Sequence, residues 1–240
     1  MTATATEDRP RFGATDAADP VIELRKVSKS FASATGTTVV LEDVDLVLAA
    51  GEKASLVGPS GSGKSTLLGL IAGLLRPDSG TVLIDGVAHS DQGERARAQI
   101  RADRIGIALQ SDNLIPFLSA RENVELALSL SSSGRSRRAV RARAGALLDG
   151  LGLADRAQHK PRHLSGGEAQ RVALAVAMAN EPALLLADEV VASLDSETAV
   201  RVVDQVLEAE FAVLFVTHHA ALAALVDSRY ELVDRQVVRR

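Results

Sequence analysis

The stretch Gly58-PSGSGKS-Thr66 follows a short β-rich run, Lys53–Val57, and leads into a run of helical periodicity, Lys64–Leu75. Its spacing is G-x-x-x-x-G-K-[ST], and a strand before and a helix after are the context this spacing requires. Gly61 and Gly63 let the backbone curl until successive N–H groups point inward, which suits phosphate oxygens. The Lys64 ammonium would sit on the β- and γ-phosphates of a nucleotide, and the Ser65 hydroxyl would ligate Mg²⁺. Pro59, Ser60, Ser62 and Thr66 complete the wrap that begins at Gly58. An empty Gly/Ser turn would explain the glycines, but not the Lys-Ser pair at a helix start.

A second stretch supplies acid. Leu184-LLAD-Glu189 reads as an apolar strand ending in two carboxylates, and charge at the end of a buried strand needs a partner or a purpose. Successive strand side chains point in opposite directions, so the two acids need not share one job. Asp188 suits a Walker B role, holding Mg²⁺ through water beside Ser65. Glu189 suits a general base or a water-positioning group.

The remaining chain agrees with a nucleotide-binding α/β domain. Of its 240 residues 46% are apolar, enough for a sizeable core. The net charge of −4 argues against a nucleic-acid-coating protein. Without cysteine there are no disulfides. No apolar run approaches the ~18 residues of a membrane-spanning helix. The N-terminal stretch lacks the apolar core of a secretory signal and reads as a disordered tail over residues 1–20. A cytosolic chain is the expectation.

Short β-rich runs alternate with helical ones. Strands are expected at Val21–Leu24, Val39–Leu41, Val44–Leu48, Lys53–Val57, Thr81–Ile84, Ile105–Leu109, Ala183–Ala187, Ala212–Thr217 and Tyr230–Val233. Helices are expected at Lys64–Leu75, Ser136–Leu151, Glu168–Ala179 and Asp195–Glu210, the last with Asp195 or Ser196 as its N-cap. This order predicts a P-loop NTPase with a mostly parallel central sheet and an antiparallel β flank from the early strands. One domain over 21–240 would carry a helical insertion at about 111–165, where the strand signal disappears. Five arginines crowd into Ser131–Arg143; they read as a solvated helix face, with acidic lipid or a partner protein as the functional alternative.

A further anion-shaped loop remains unexplained by one phosphate site. In Leu164–Arg171, LSGGEAQR, two glycines follow a serine at the start of a helix, which leaves backbone N–H groups free. With both loops and the acid pair, the chain resembles the ATPase subunits of ABC transporters over nearly its whole length. LSGGEAQR matches that family's signature sequence. Phe31, in Val27-SKS-Phe31, matches the aromatic A-loop residue that stacks on adenine. Gln110 matches the Q-loop glutamine, which touches Mg²⁺ and senses the transmembrane partner. Ser193-Leu194-Asp195 matches the D-loop, and His218 the switch histidine at the γ-phosphate.

The resemblance implies ATP and Mg²⁺ as ligands and a head-to-tail pair, made with a second copy or a homologous ATPase. Each ATP would then lie between one chain's P-loop and Ser165, Gly166 and Gly167 of the other. It implies a transmembrane permease as partner, a peripheral place on the cytoplasmic side of the membrane, and no nucleic acid. The pattern across Arg104–Leu128 is similar to the lipoprotein-releasing and macrolide-efflux branch, whose permeases are FtsX-like. In that segment Leu114–Leu118 would receive a coupling helix, or else pack on its own core. Three departures stand out: Val190-Val191 replaces the usual Pro-Thr, Val176 a common arginine, and His219 a common aspartate. Two other functions stay open: a regulatory ABC ATPase gating a membrane protein without transport, and a soluble non-transport ABC ATPase.

Overall fold

The computed structural model describes residues 19–33, 36–108, 114–188, 196–217 and 225–240. Gln110, Glu189, Val190, Val191, Ser193, Asp195, His218 and His219 lie outside the described residues, as does residue 1–18 of the expected tail. The strands run in chain order as β1 (Pro20–Ser33), β2 (Gly36–Ala49), β3 (Lys53–Val57), β4 (Ser79–Ile84), β5 (Val87–Ala88), β6 (Ile105–Ala108), β7 (Leu184–Asp188), β8 (Ala212–Val216), β9 (Ser228–Val233) and β10 (Gln236–Arg239). The helices are α1 (Lys64–Ile71), α2 (Glu94–Arg104), α3 (Ala120–Leu130), α4 (Arg137–Gly150), α5 (Gly166–Met178) and α6 (Ser196–Leu207).

The strands form two sheets. The larger has the order β10-β9-β3-β8-β7-β6, with β9, β3, β8, β7 and β6 parallel and β10 antiparallel at the edge. The smaller is antiparallel, with the order β2-β1-β4-β5. The parallel strands are buried on both faces, and alternate residues of one strand feed two different cores. Leu184 and Leu186 of β7, with Ala212, Leu214 and Val216 of β8, pack with α1 and the antiparallel sheet. Leu185 and Ala187, with Val213 and Phe215, pack instead with α3, α4, α5 and α6. One central layer therefore carries the antiparallel flank on one side and the helical set on the other.

The departures from expectation have local causes. β2 is one strand where two were expected, because bulges against β1 let a long hairpin curl without breaking. α1 stops at Ile71, and the N–H groups of Leu74 and Leu75 fold back onto the Gly69 carbonyl. α2 was not expected: ERARAQIRADR is dominated by charge and offers no apolar stripe. The residues between β6 and α5 contain α3, α4 and two short 3₁₀ turns and, among those described, no strand. In the arginine-rich stretch Arg137, Arg138 and Arg141 are exposed, as a solvated face requires. Arg135 bonds Asn180 Oδ1 at 3.2 Å, and Arg143 pairs with Glu181 at 3.4 Å.

Candidate functional site

The phosphate loop leaves the carboxyl end of β3 and becomes the first turn of α1. Its conformation needs glycine at two places: Gly61 has φ 78° and Gly63, the N-cap of α1, has φ 108°. At Gly63 space is short as well, since a Cβ would meet Val40 Cγ1 of β2 at 2.7 Å. No side chain caps α1 and its first turn holds no acid, so its N–H groups remain available to an anion. Lys64 folds back over the loop and donates to the carbonyls of Gly58 and Pro59, both at 2.8 Å. These are weak anchors for an ammonium, easily exchanged for phosphate oxygens. Ser62 Oγ is buried in the loop without a partner, an orphaned donor of the kind a bound anion satisfies.

The strand register brings the acid to the same edge. Leu56 of β3 pairs with Val216 of β8, which pairs with Asp188 of β7, so the three stand in one row across the sheet. Asp188 has the parity of Leu184 and Leu186, so its side chain points to the α1 face of the sheet. That is the face from which Ser65 starts the helix. Gln110, Glu189 and His218 follow the ends of β6, β7 and β8 by one or two residues in the sequence. A Ser hydroxyl and a half-buried carboxylate make a sparse oxygen donor set, which fits Mg²⁺ better than an all-protein cage would. This ion keeps several waters and takes its other ligands from phosphates.

Phe31 lies near the free end of the β1–β2 hairpin, opposite Thr38, and is 39% exposed. Lys29, two residues earlier on the same face, sets its ammonium over the ring at 5.4 Å from the centroid. Lys29 in turn pairs with Leu41, whose Cδ2 comes within 3.5 Å of the position a Cβ on Gly63 would take. The exposed ring thus shares a hairpin face with the residue packed on the phosphate loop.

The second anion loop begins earlier than expected. α5 starts at Gly166 with Ser165 as its N-cap, two residues ahead of Glu168. Ser165 Oγ accepts the Glu168 N–H at 3.2 Å, and Glu168 Oε2 accepts the Ser165 N–H at 2.8 Å, a complete capping box. This satisfies the first and last donors of the turn and leaves those of Gly166 and Gly167 between them. Ser165 and Gly166 are exposed, and a Cβ at Gly166 would meet nothing within 4 Å. Sequence reasoning missed Arg156, whose Nε donates to the other Glu168 oxygen at 2.7 Å. No local signal marks this residue, because the contact spans a 3₁₀ turn and a helix start.

Comparison with known proteins places these features in a lineage. The family model described as ABC transporter matches residues 41–192. The chain is 44% identical over 220 residues to the lipoprotein-releasing system ATP-binding protein LolD 2 of Caulobacter vibrioides, covering 90% of this chain and 96% of that one. It is 43% identical over 206 residues to an uncharacterized ABC transporter ATP-binding protein, YknY, of Bacillus subtilis, covering 85% and 89%. Among solved structures, a dimeric post-hydrolysis state of the ATP-binding cassette MJ0796 bound to ADP and Pi superposes with a TM-score of 0.87. That cassette is 38% identical, with 91% of this chain and 97% of that one covered.

Proposed function

The chain belongs to the ABC transporter family, as one of its ATP-hydrolysing cassettes, and on that premise we propose that two copies close head to tail around two ATP molecules and drive a separate membrane permease. One observation carries the reading: the chain has two helix starts with N–H groups left free, at α1 and at Gly166 and Gly167 of α5, that one phosphate cannot use together. The P-loop ends β3, whereas α5 packs on β6, three strand spacings or about 14 Å across the sheet. Gly166, exposed and open, and Gly167 beside it suit the γ-phosphate on a partner's P-loop. The dimeric state of the MJ0796 cassette bound to ADP and Pi supports pairing of two copies.

Within each site Lys64 and the α1 amides would grip the β- and γ-phosphates, and Phe31 would stack on the base. Ser65, Asp188 and Gln110 would hold Mg²⁺, which when bound would supply positive charge beside the β- and γ-phosphate oxygens. Glu189 would polarise the attacking water, and His218 would hold it in register. Asp195 would meet the site across the dimer. The partner's Gly166 and Gly167 amides, at a helix N-terminus, would stabilise the charge that builds on the transferring phosphoryl group. ATP favours the closed pair, and its loss favours the open one; that difference in affinity is the work available to the permease.

The membrane partner would dock at the loop before α3. Phe117 there is 70% exposed, and Asn123 braces the loop by accepting the Ile115 N–H at 2.7 Å and donating to the carbonyls of Ile115, Leu118 and Ser119. A rigid loop presenting an apolar side chain suits a coupling helix. Kinship with lipoprotein-releasing ATPases favours an FtsX-like permease and a peripheral position on the cytoplasmic side of the membrane. Among the described residues no helix is long and apolar enough to cross a membrane. Light scattering of Glu189→Gln tests the core of the proposal. With ATP its mass should double; a variant that stays monomeric at saturating ATP contradicts it.

A further inference from the structure

We propose that Asp78 is a positioning residue for nucleotide binding: it pins the strand that carries Phe31 and so sets the ring for stacking on the base. The inference rests on the reading of Phe31 as the base-stacking residue. A ring at the end of a hairpin, 39% exposed and with no core above it, needs support from below to offer a defined surface. Asp78 supplies that support from the neighbouring strand. The β1–β4 ladder reaches only the pair Ser28–Ser79, and β1 continues beyond it with β2 alone. At that point the Asp78 carboxylate replaces the missing strand.

Asp78 Oδ2 accepts the Ser30 N–H at 2.7 Å and the Ser30 hydroxyl at 2.6 Å. Oδ1 accepts the Lys29 ammonium at 2.6 Å, and the Asp78 N–H donates to the Ser28 carbonyl at 2.9 Å. Four bonds therefore bind the three residues before Phe31. The Lys29 side chain is only 16% exposed and its ammonium lies over the Phe31 ring, so holding it also occupies one ring face and directs the base to the other. These bonds hold the carboxyl down at about pKa 2, with Lys29 as the largest cause, so it is ionised at any working pH. Asp78 also follows α1, the helix that starts in the phosphate loop.

The test uses the full chain with ADP, GDP and inorganic pyrophosphate, read by displacement of a fluorescent ADP analogue. Phe31→Ala should weaken ADP roughly tenfold, the scale of one aromatic–base stack, and leave pyrophosphate unchanged. Asp78→Ala should weaken ADP about three- to fivefold, narrow the preference over GDP, and leave pyrophosphate unchanged. Added to Phe31→Ala, it should cost nothing more. If Phe31→Ala binds ADP like the parent, base stacking is wrong and the inference falls with it. If Phe31→Ala is weak but Asp78→Ala is normal, the clamp alone is wrong. Equal weakening of pyrophosphate, or an added loss in the double variant, also overturns the clamp, since either shows damage that bypasses the ring. Asp78→Asn and Lys29→Met, which keep side-chain bulk, are read the same way if Asp78→Ala folds poorly.

Discussion

Arg156 Nε and Glu168 Oε1 are 2.7 Å apart, so the one carboxylate in the first turn of α5 is neutralised by a cation from outside the helix. Its second oxygen takes the Ser165 N–H, and the two contacts, the Ser165 bond foremost, press its pKa to about 2. An uncompensated acid here would oppose the phosphate that Gly166 and Gly167 are proposed to bind. Arg156→Ala should therefore lower ATP turnover several-fold and change thermal stability little, because the pair is partly exposed. Equal turnover in Arg156→Ala and the parent would remove this role.

Glu168 also has a stability consequence with a defined sign. Its folded pKa is depressed, so its contribution is present above the unfolded value of about 4.3 and is lost as pH falls toward 2. Glu168→Ala removes half of the capping box and should cost about 1 kcal/mol, a fall of roughly 2–4 °C in Tm for a domain of this size. The difference between variant and parent should shrink below pH 4 in thermal melts. A constant difference down to pH 2 would contradict the capping account.

Tyr230 is the only tyrosine, and the chain has no tryptophan, so absorbance near 295 nm reports one residue. Burial, foremost, pushes its pKa up to about 12, and its hydroxyl donates to the Val47 carbonyl at 2.5 Å, joining β9 to β2. A raised folded pKa means that this contribution is intact below about pH 10 and is lost as pH climbs through 12. The titration midpoint should lie near 12 in buffer and near 10 in urea. Coincident midpoints would show the ring to be solvated.

Phe117 separates partner docking from chemistry. Phe117→Asp should leave the ATPase rate of the isolated protein unchanged and abolish co-purification with the permease. A normal complex formed by this variant would move the docking surface elsewhere.

Lys64 separates binding from fold. Its two bonds in the free protein go to loop carbonyls, so Lys64→Ala should fold normally while turnover falls at least ~10²-fold, the loss expected for one preorganised charge. Robust hydrolysis by this variant would undo the phosphate-loop assignment.

Much of this was legible in the sequence because local rules and global fold agree. Lys53–Val57 is the strand expected, since a short buried run followed by the phosphate loop leaves no other choice. The face of Asp188 was not legible, because Leu184 to Ala187 are all buried and only the fold shows that Leu184 and Leu186 turn toward α1. α2 escaped notice because its stabilising contacts are ionic: Glu94 pairs with Arg97, and with Arg101 at 3.0 Å. Lys53 reads as a polar strand start, yet it is buried and donates to the carbonyls of Ala209, at 2.7 Å, and Phe211. Arg156 and Asp78 were invisible for one reason: each acts on a residue distant in the chain, and only the assembled fold brings them together.

The most direct test of the shared pocket mixes two inactive variants. Lys64→Ala spoils the P-loop, and Gly166→Glu spoils the second loop without disturbing the monomer, because the site of its side chain is open. In a mixed pair both lesions fall in one pocket and the other pocket is intact. Equal mixing should therefore restore hydrolysis, with about a quarter of all pockets whole in a random symmetric pairing. If each chain instead held its own ATP, the mixture would stay as inactive as either variant alone.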